Sequence, residues 1–368
     1  MKFSRKGAAA ALTATVALTF SACAANESGT PAPAGSGSEN LSGTLTGIGA
    51  SSMATAQETW VAEFQTANPD VTVNYSPDGS GAGREAFAGG GADFAGSDRA
   101  MDPEEITPEA LSKSRCAADA KALSLPVYIS PIAVIFKVQG VTDLKLDADT
   151  LAGIFAGQIK TWNDPKIAAI NEGANLPNQS ITAVHRADDS GTTENFTDYL
   201  HEAAPKVWTA EPDGEWPFKG GEAAPQTSGV VDAVSNGNGT IGYADASKAG
   251  DLGVAQIKVG DKYVKYSPEA AAAIVDNSPK AAAEGRSAND LAIELDRKAE
   301  GDVYPIVLLS YAIACEKYKE PATAAKVKAY LGYIASAAGQ QAAVKAAKMA
   351  PLSEQKSKDV EASVAAIS

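Results

Sequence analysis

Leu125-Pro126-Val127-Tyr128-Ile129-Ser130-Pro131-Ile132-Ala133-Val134-Ile135-Phe136-Lys137-Val138 is a long apolar and β-branched run interrupted by two prolines. Proline cannot donate to a strand ladder, so two of them in one extended run read as a strand that crosses between domains. A second run, Val303 to Ala314, mirrors the first and again carries an early proline, Pro305. It is the candidate for the returning crossover. A chain of 368 residues is too long for one ordinary core and predicts two domains. Two crossings then give two lobes joined by two hinge strands.

Between and around these runs, strands alternate with helices. Leu45 to Ala50 reads as a strand ending in a glycine-rich turn, and Ser52 to Asn68 as a helix. In that helix Ala56, Trp60, Phe64 and Ala67 recur at helical spacing, with Glu58 and Glu63 facing away. Val71, Val73 and Tyr75 alternate as in a strand, and a short helix is expected from Arg84. Ala92 to Gly96 reads as a strand, and Thr107-Pro108-Glu109 as an N-cap with proline at the first helical position. Asp149 and Asp164-Pro165 are expected to start two more helices. Ile181 to Val184 and Thr240 to Tyr243 are strands, Ser190 to Ala203 a helix, and Ala322 to Ala347 one long alanine-rich helix. The class is α/β, and ligands in such folds sit at strand ends and helix N-termini.

The first residues have the make-up of a targeting segment. Lys2, Arg5 and Lys6 precede a short apolar stretch, Gly7 to Phe20, that cannot span a bilayer. Ser21-Ala22-Cys23 resembles a bacterial lipobox, which makes residues 1–22 a signal peptide and Cys23 the lipidated N-terminus. The alternative is an ordinary signal peptide cut after an Ala-x-Ala pattern. Residues 23–43 are rich in Ala, Gly, Ser, Pro and Asn and read as a flexible tether. Removing residues 1–22 leaves about 346 residues and takes the formal charge from −14 to −17. So acidic a chain is a poor candidate for nucleic acid. It also repels small anions at long range, so any anion site must rely on local dipoles and hydrogen bonds. Cys116 and Cys315 remain; an exported chain meets oxidising conditions, so a disulfide is expected, two buried thiols being the alternative.

Four glycine-containing, small and polar loops follow strands: Gly49-Ala50-Ser51-Ser52, Gly79-Ser80-Gly81-Ala82-Gly83, Gly96-Ser97-Asp98 and Arg186 to Thr192. Each is expected at a strand-to-helix junction, where backbone N–H groups and hydroxyls can meet an anion. Arg186 supplies a bidentate fork, and Asp188, two residues on, can hold it in one rotamer. Ser190, Gly191 and Thr192 open a helix whose dipole favours negative charge. Asp98 is out of place beside an anion unless the anion brings a proton to donate.

Here the chain resembles the substrate-binding lipoproteins of the bacterial phosphate ABC importer. The likeness runs from Leu45 to the C-terminal helix. It is carried by Leu45-Thr46-Gly47-Ile48-Gly49-Ala50-Ser51, by the Gly79 to Gly83 loop, by Asp93-Phe94-Ala95-Gly96-Ser97-Asp98 and by Arg186 to Thr193. Ile159 to Asp164 and Ile241-Gly242-Tyr243 also fit. The resemblance implies an α/β, two-lobed periplasmic-binding-protein fold of type II with two hinge strands and the ligand in the cleft. Lobe I is then 44–128 plus 305–368, and lobe II 129–304. It implies phosphate contacts from Ser51, Ser52, Ser80, Asp98, Arg186, Asp188, Ser190, Gly191 and Thr192. Ser51 stands where the family has threonine. Ser52 stands where the family uses only the backbone N–H, so its identity is expected to matter little.

The resemblance further implies a monomer that does no chemistry, uses no cofactor, and passes inorganic phosphate to a membrane permease from a lipid anchor outside the cell membrane. Asp98 then rejects sulfate, which has no proton to give, but not arsenate. Other readings are a receptor for another tetrahedral oxyanion or a secreted phosphatase-type enzyme. His185, Asp188 and Ser190 have the residue types of a hydrolase triad, but no Gly-x-Ser-x-Gly elbow surrounds Ser190. The two histidines, His185 and His201, have no metal-ligand spacing, and the glycines at 79, 81 and 83 have the wrong spacing for a dinucleotide fingerprint. Trp60, Trp162, Trp208 and Trp216 are expected in the core or on lobe surfaces.

Overall fold

The computed structural model describes residues 41–282 and 284–368. The leader, Cys23 and most of the expected tether lie outside them. The chain opens with β1 (Gly43–Gly49), a 3₁₀ turn at Ser51–Met53, α1 (Ala54–Ala67), β2 (Val71–Ser76), α2 (Ser80–Ala88) and β3 (Phe94–Ser97). Next come β4 (Ala122–Lys137), β5 (Lys145–Leu146), α3 (Ala148–Phe155), α4 (Pro165–Ile170), β6 (Thr182–Arg186) and α5 (Gly191–Ala203). They are followed by β7 (Glu222–Ala224), α6 (Gln226–Asn236), β8 (Thr240–Asp245), β9 (Gly253–Val254), β10 (Gln256–Val259), β11 (Lys262–Val264) and α7 (Pro268–Asn277). β12 (Val307–Cys315), α8 (Pro321–Ala335), α9 (Ala337–Ala347) and α10 (Glu354–Ala365) complete the fold.

One sheet runs β2-β1-β3-β12-β4-β8-β6-β7, with β9 added beside β4. β4 carries the architecture. Residues Ala122 to Pro131 pair antiparallel with β12, and Ile132 to Lys137 pair antiparallel with β8. Each half of the strand therefore belongs to a different group of neighbours, and these groups are the two lobes. Every residue of β4 except Lys137 is buried, which is why the run reads as unbroken apolar sequence. The return passage lies just before β12, where the N–H of Ile132 donates to the carbonyl of Ile306 at 2.7 Å. Cys116 and Cys315 are joined by a disulfide with Cα atoms 5.1 Å apart. It ties the segment entering β4 to the end of β12.

Each lobe has an aromatic centre. In the first, Phe64 and Phe94 pack on Tyr330, with ring centroids 5.1 and 5.4 Å away. In the second, Phe196 stacks on Tyr243 at 4.3 Å and meets Phe155 edge-on at 4.9 Å. Trp60, Trp162 and Trp208 are fully buried and Trp216 is half-buried against His185. In the first lobe β1, α2 and β3 meet backbone to backbone. A Cβ on Gly49 would lie 2.0 Å from the Gly96 carbonyl oxygen, and one on Gly83 would lie 2.6 Å from the Gly49 Cα. That contact brings the N-terminus of α2 to the ends of β1 and β3.

Several elements differ from the sequence expectation. The Ser80 to Gly83 segment is the first turn of α2 rather than a loop before Arg84, because Gly79 turns the chain at φ +110. Asp98 leads into turns, not a helix. Thr107 caps a single turn, accepting from the N–H of Ala110 at 3.2 Å, and residues 103–113 remain irregular. The cap of α3 is Asp147, which accepts from the N–H of Thr150, and Asp149 sits in the first turn. Ala67 is exposed at the end of α1. The expected long C-terminal helix breaks into α8 and α9 at Ser336, whose hydroxyl accepts from the N–H of Gly339 at 3.1 Å and donates to the Tyr333 carbonyl at 2.6 Å.

Candidate functional site

β6 ends at Arg186, and the turn Ala187-Asp188-Asp189 delivers the chain to Ser190, the N-cap of α5. The Ser190 hydroxyl accepts from the N–H of Thr193 at 3.2 Å. Arg186 is almost fully buried. Its Nε donates to Asp188 Oδ1 at 2.8 Å, and its Nη2 donates to Oδ2 of the same carboxylate. The fork is thus held by one edge, with its other N–H groups free of Asp188. Burial pushes the Asp188 carboxyl up, but the Arg186 bonds and charge, with the N–H of Gln226, outweigh it and hold the group below the usual carboxylate range. Gln226 opens α6 with φ +58, a left-handed backbone that costs a non-glycine residue about 1–2 kcal/mol. Its N–H meets Asp188 Oδ1 at 2.9 Å.

Asp98, on the first lobe at the end of β3, is buried to 2% exposure. Its Oδ1 accepts from the hydroxyls of Ser52 at 2.6 Å and Ser310 at 2.7 Å. Its Oδ2 accepts from Thr192 at 2.7 Å. Its backbone N–H donates to the Ser80 hydroxyl at 3.1 Å, and its carbonyl accepts from Asn195 at 2.5 Å. Ser51 pairs with Thr227, hydroxyl to hydroxyl at 3.0 Å, and accepts from the Thr227 N–H at 3.2 Å. Gly191 sits where no side chain fits: an added Cβ would lie 2.7 Å from Asp98 Cβ and 2.9 Å from the Ser80 hydroxyl.

All nine residues expected at the site therefore fall in one place, at the meeting of the two lobes. Ser51, Ser52, Ser80 and Asp98 come from the first lobe, and Arg186, Asp188, Ser190, Gly191 and Thr192 from the second. The N-termini of α2, α5 and α6 converge there with the turn before α1, and each helix end places the equivalent of about half a positive charge nearby. A net acidic molecule thus presents a locally positive, hydrogen-bond-rich centre suited to a small oxyanion. A cavity of about 630 Å³ opens beside it, lined in part by Asp98, Arg99, Glu194, Asn195 and Arg297.

Ion pairs between the lobes flank the centre. Arg84 Nη2 lies 3.3 Å from Asp189 Oδ2, and Arg99 Nε lies 2.8 Å from Glu194 Oε2. Lys248 Nζ donates to the Thr55 hydroxyl at 2.6 Å. The lobes are in contact, so the structure is that of a closed cleft.

Three parts of the site were not read from the sequence. Ser310 is a hydroxyl inside an apolar strand, and Thr227 and Asn195 are polar residues on helices with no motif of their own. The lone serine in Val307 to Ala314 was the available signal. Ser52 is a correction: its side chain donates to Asp98, so its identity does matter. His185 does not form a triad. It stacks on Trp216 at 4.7 Å, and its ring nitrogens face the Arg186 and Gly220 carbonyls at 2.9 and 3.2 Å.

Comparison with known proteins gives a consistent picture. A family model described as the PBP superfamily domain matches residues 34–338. The phosphate-binding protein PstS 3 of Mycobacterium leprae (strain TN) is 36% identical over 351 residues, covering 90% of each chain. Phosphate-binding protein PstS 2 of Mycobacterium tuberculosis (strain ATCC 25618 / H37Rv) is 34% identical over 343 residues, again covering 90% of each. Among solved structures, the phosphate-bound periplasmic phosphate-binding protein PfluDING superposes with a TM-score of 0.69 at 22% identity, over 87% of this chain and 93% of that one. A phosphate-binding protein from Stenotrophomonas maltophilia gives 0.68 at 22% identity over the same shares. At that identity the two structures speak for the fold.

Proposed function

The chain belongs to the PBP superfamily and, within it, to the PstS phosphate-binding proteins, and from that premise we propose that it captures inorganic phosphate outside the cytoplasm and delivers it to the permease of an ABC importer. It acts as a monomer, held to the membrane through a lipid on Cys23, and does no chemistry on the anion. Lobe I comprises 44–128 plus 305–368 and lobe II 129–304, a division supported by the change of partner along β4 from β12 to β8. The segment around Asp290 belongs to lobe II in sequence but leans on lobe I, with the N–H of Leu291 donating to the Ser124 carbonyl at 3.2 Å.

In this reading Arg186 holds two phosphate oxygens with the N–H groups that Asp188 leaves free. Backbone N–H groups at Ser51, Ser52, Ser80, Gly191 and Thr192, and the hydroxyls of Ser51, Ser80, Ser190 and Thr192, surround the rest. Asp98 accepts the proton that phosphate brings. The observation that carries the reading is this buried carboxylate set among helix N-termini and an arginine. Such a group repels an anion unless it receives a hydrogen bond from it. A site built on one required hydrogen bond can reject an analogue lacking it by on the order of 10⁴–10⁵. Sulfate is excluded on that ground, and arsenate is not.

Calorimetric titration of the mature chain, stripped of bound anion, tests the proposal. Tight one-to-one phosphate binding is expected, with no measurable heat from sulfate. Equal binding of the two, or of neither, would remove the receptor reading.

A further inference from the structure

Ser310 is fully buried in the middle of β12, 212 positions along the chain from Asp98, and its only role in the packing pattern of an apolar strand would be a cost. The ladder between β12 and β4 slips at this point: Ser310 faces Tyr128, Tyr311 faces Pro126, and Val127 is the extra residue. A bulge of this kind redirects side chains and is common beside functional sites. Here the irregularity accompanies a hydroxyl aimed at Asp98 Oδ1.

A carboxylate offers about four acceptor positions, two on each oxygen. Ser52 and Ser310 fill both positions on Oδ1, at 2.6 and 2.7 Å, and Thr192 fills one on Oδ2. A serine hydroxyl has a single hydrogen. Once it is given to Asp98, the serine can offer an incoming anion only lone pairs. We propose that Ser310, together with Ser52, is a positioning residue for anion selection: the pair spends its hydrogens on Oδ1, which fixes the carboxylate plane and leaves one acceptor position, on Oδ2, for a proton carried by the ligand. An unprotonated oxyanion then finds neither of these two hydroxyls able to turn and donate to it. This rests on the phosphate-receptor reading and assigns part of its selectivity to residues that need not touch the ligand.

The test compares phosphate and sulfate affinities, the latter by competition, for the unaltered mature chain, Ser310→Ala and Ser52→Ala. Each variant is expected to weaken phosphate about tenfold, the weight of one charge-assisted hydrogen bond, while sulfate competition strengthens. The affinity ratio therefore narrows by more than tenfold. Ser310→Thr, which keeps the hydroxyl, should restore the ratio to within about threefold. In an Asp98→Asn background, Ser310→Ala should change the ratio by less than about twofold, because the serine acts through the carboxylate. If phosphate and sulfate affinities fall together and the ratio stays fixed, Ser310 is merely structural and the inference is overturned. Should Ser310→Ala fail to fold, Ser52→Ala on the other side of Oδ1 decides by the same criterion. No phosphate binding by the unaltered chain would overturn the receptor reading itself, and this inference with it.

Discussion

Gly191 is a residue at which the two lobes meet with no room for a side chain. Its missing side chain lets the start of α5 rest on Asp98 and Ser80, and no rotamer can relieve a Cβ placed 2.7 Å from another Cβ. Gly191→Ala is therefore expected to keep the lobes apart. The loss should appear as phosphate affinity lowered at least about 100-fold, with a melting temperature within a few degrees of the parent, because each lobe's own core is untouched. Calorimetry and a thermal melt of the same sample check both halves. The pairing of Arg186 with Asp188 was legible because the two stand two positions apart, and Asp98 because a carboxylate beside an anion site is chemically out of place. Ser310 and Thr227 were not, because their partners, Asp98 and Ser51, lie 212 and 176 positions distant. Only the closed fold sets those distances. Ser52 was misjudged for a related reason: a backbone role is visible in a motif, whereas the aim of its hydroxyl depends on where β3 ends.

α5 carries a second device one turn into the helix. Glu194 lies against Arg99 of the facing lobe, yet its carboxyl is pushed up to about 7. Burial is the main cause. Arg99 and Arg84 oppose it, and Asp102 and Asp189 add to it. Arg99 is also bonded to Glu105, which it holds below the ordinary range against the pull of burial, so Glu194 receives only part of that charge. Asp245, fully buried at the end of β8 with Tyr128 donating to it at 2.9 Å, is likewise raised by burial, to about 6. Below the ordinary carboxyl range both groups are protonated whether the chain is folded or not. As pH rises, the unfolded chain releases protons that the folded chain retains, so stability falls until the raised values are passed and then levels off. The melting temperature is expected to decline from pH 5 to pH 8. Glu194→Gln should flatten the upper part of that decline and Asp245→Asn the lower part; parallel curves for all three proteins would refute the assignment. Elements were legible where periodicity and a cap agree, as in α5, or where periodicity alone is strong, as in α1. The break at Ser336 was not. The alanine-rich run has no proline to signal it, and the kink is held by distant groups: Trp60 donates to the Gly339 carbonyl at 2.7 Å, and Gln340 to the Val127 carbonyl at 3.0 Å.

For the molecule as a whole, the two proline-marked apolar runs were enough to read two lobes and two passages between them. The order of strands was beyond reach, because nothing local says that β12 lies between β3 and β4. The disulfide secures that late strand, closing a loop with a sequence separation of 199. By the chain-entropy argument a loop of that size contributes about 5 kcal/mol. Replacing Cys116 and Cys315 together by serine should lower the melting temperature by several degrees while leaving phosphate affinity within a few-fold, since neither sulfur approaches the site. A large affinity loss would show that the bridge shapes the cleft. The strand order has a further consequence for how the molecule is made. β3 and β4 leave the ribosome in succession but are not neighbours, and the strand that fills the gap between them is the last to be synthesised. Until residue 315 exists, the growing chain holds two unpaired strand edges and, save for Ser310, every ligand of its site. A messenger truncated between Thr227 and Val307 would encode nearly all of the binding chemistry but not the strand that joins β3 to β4.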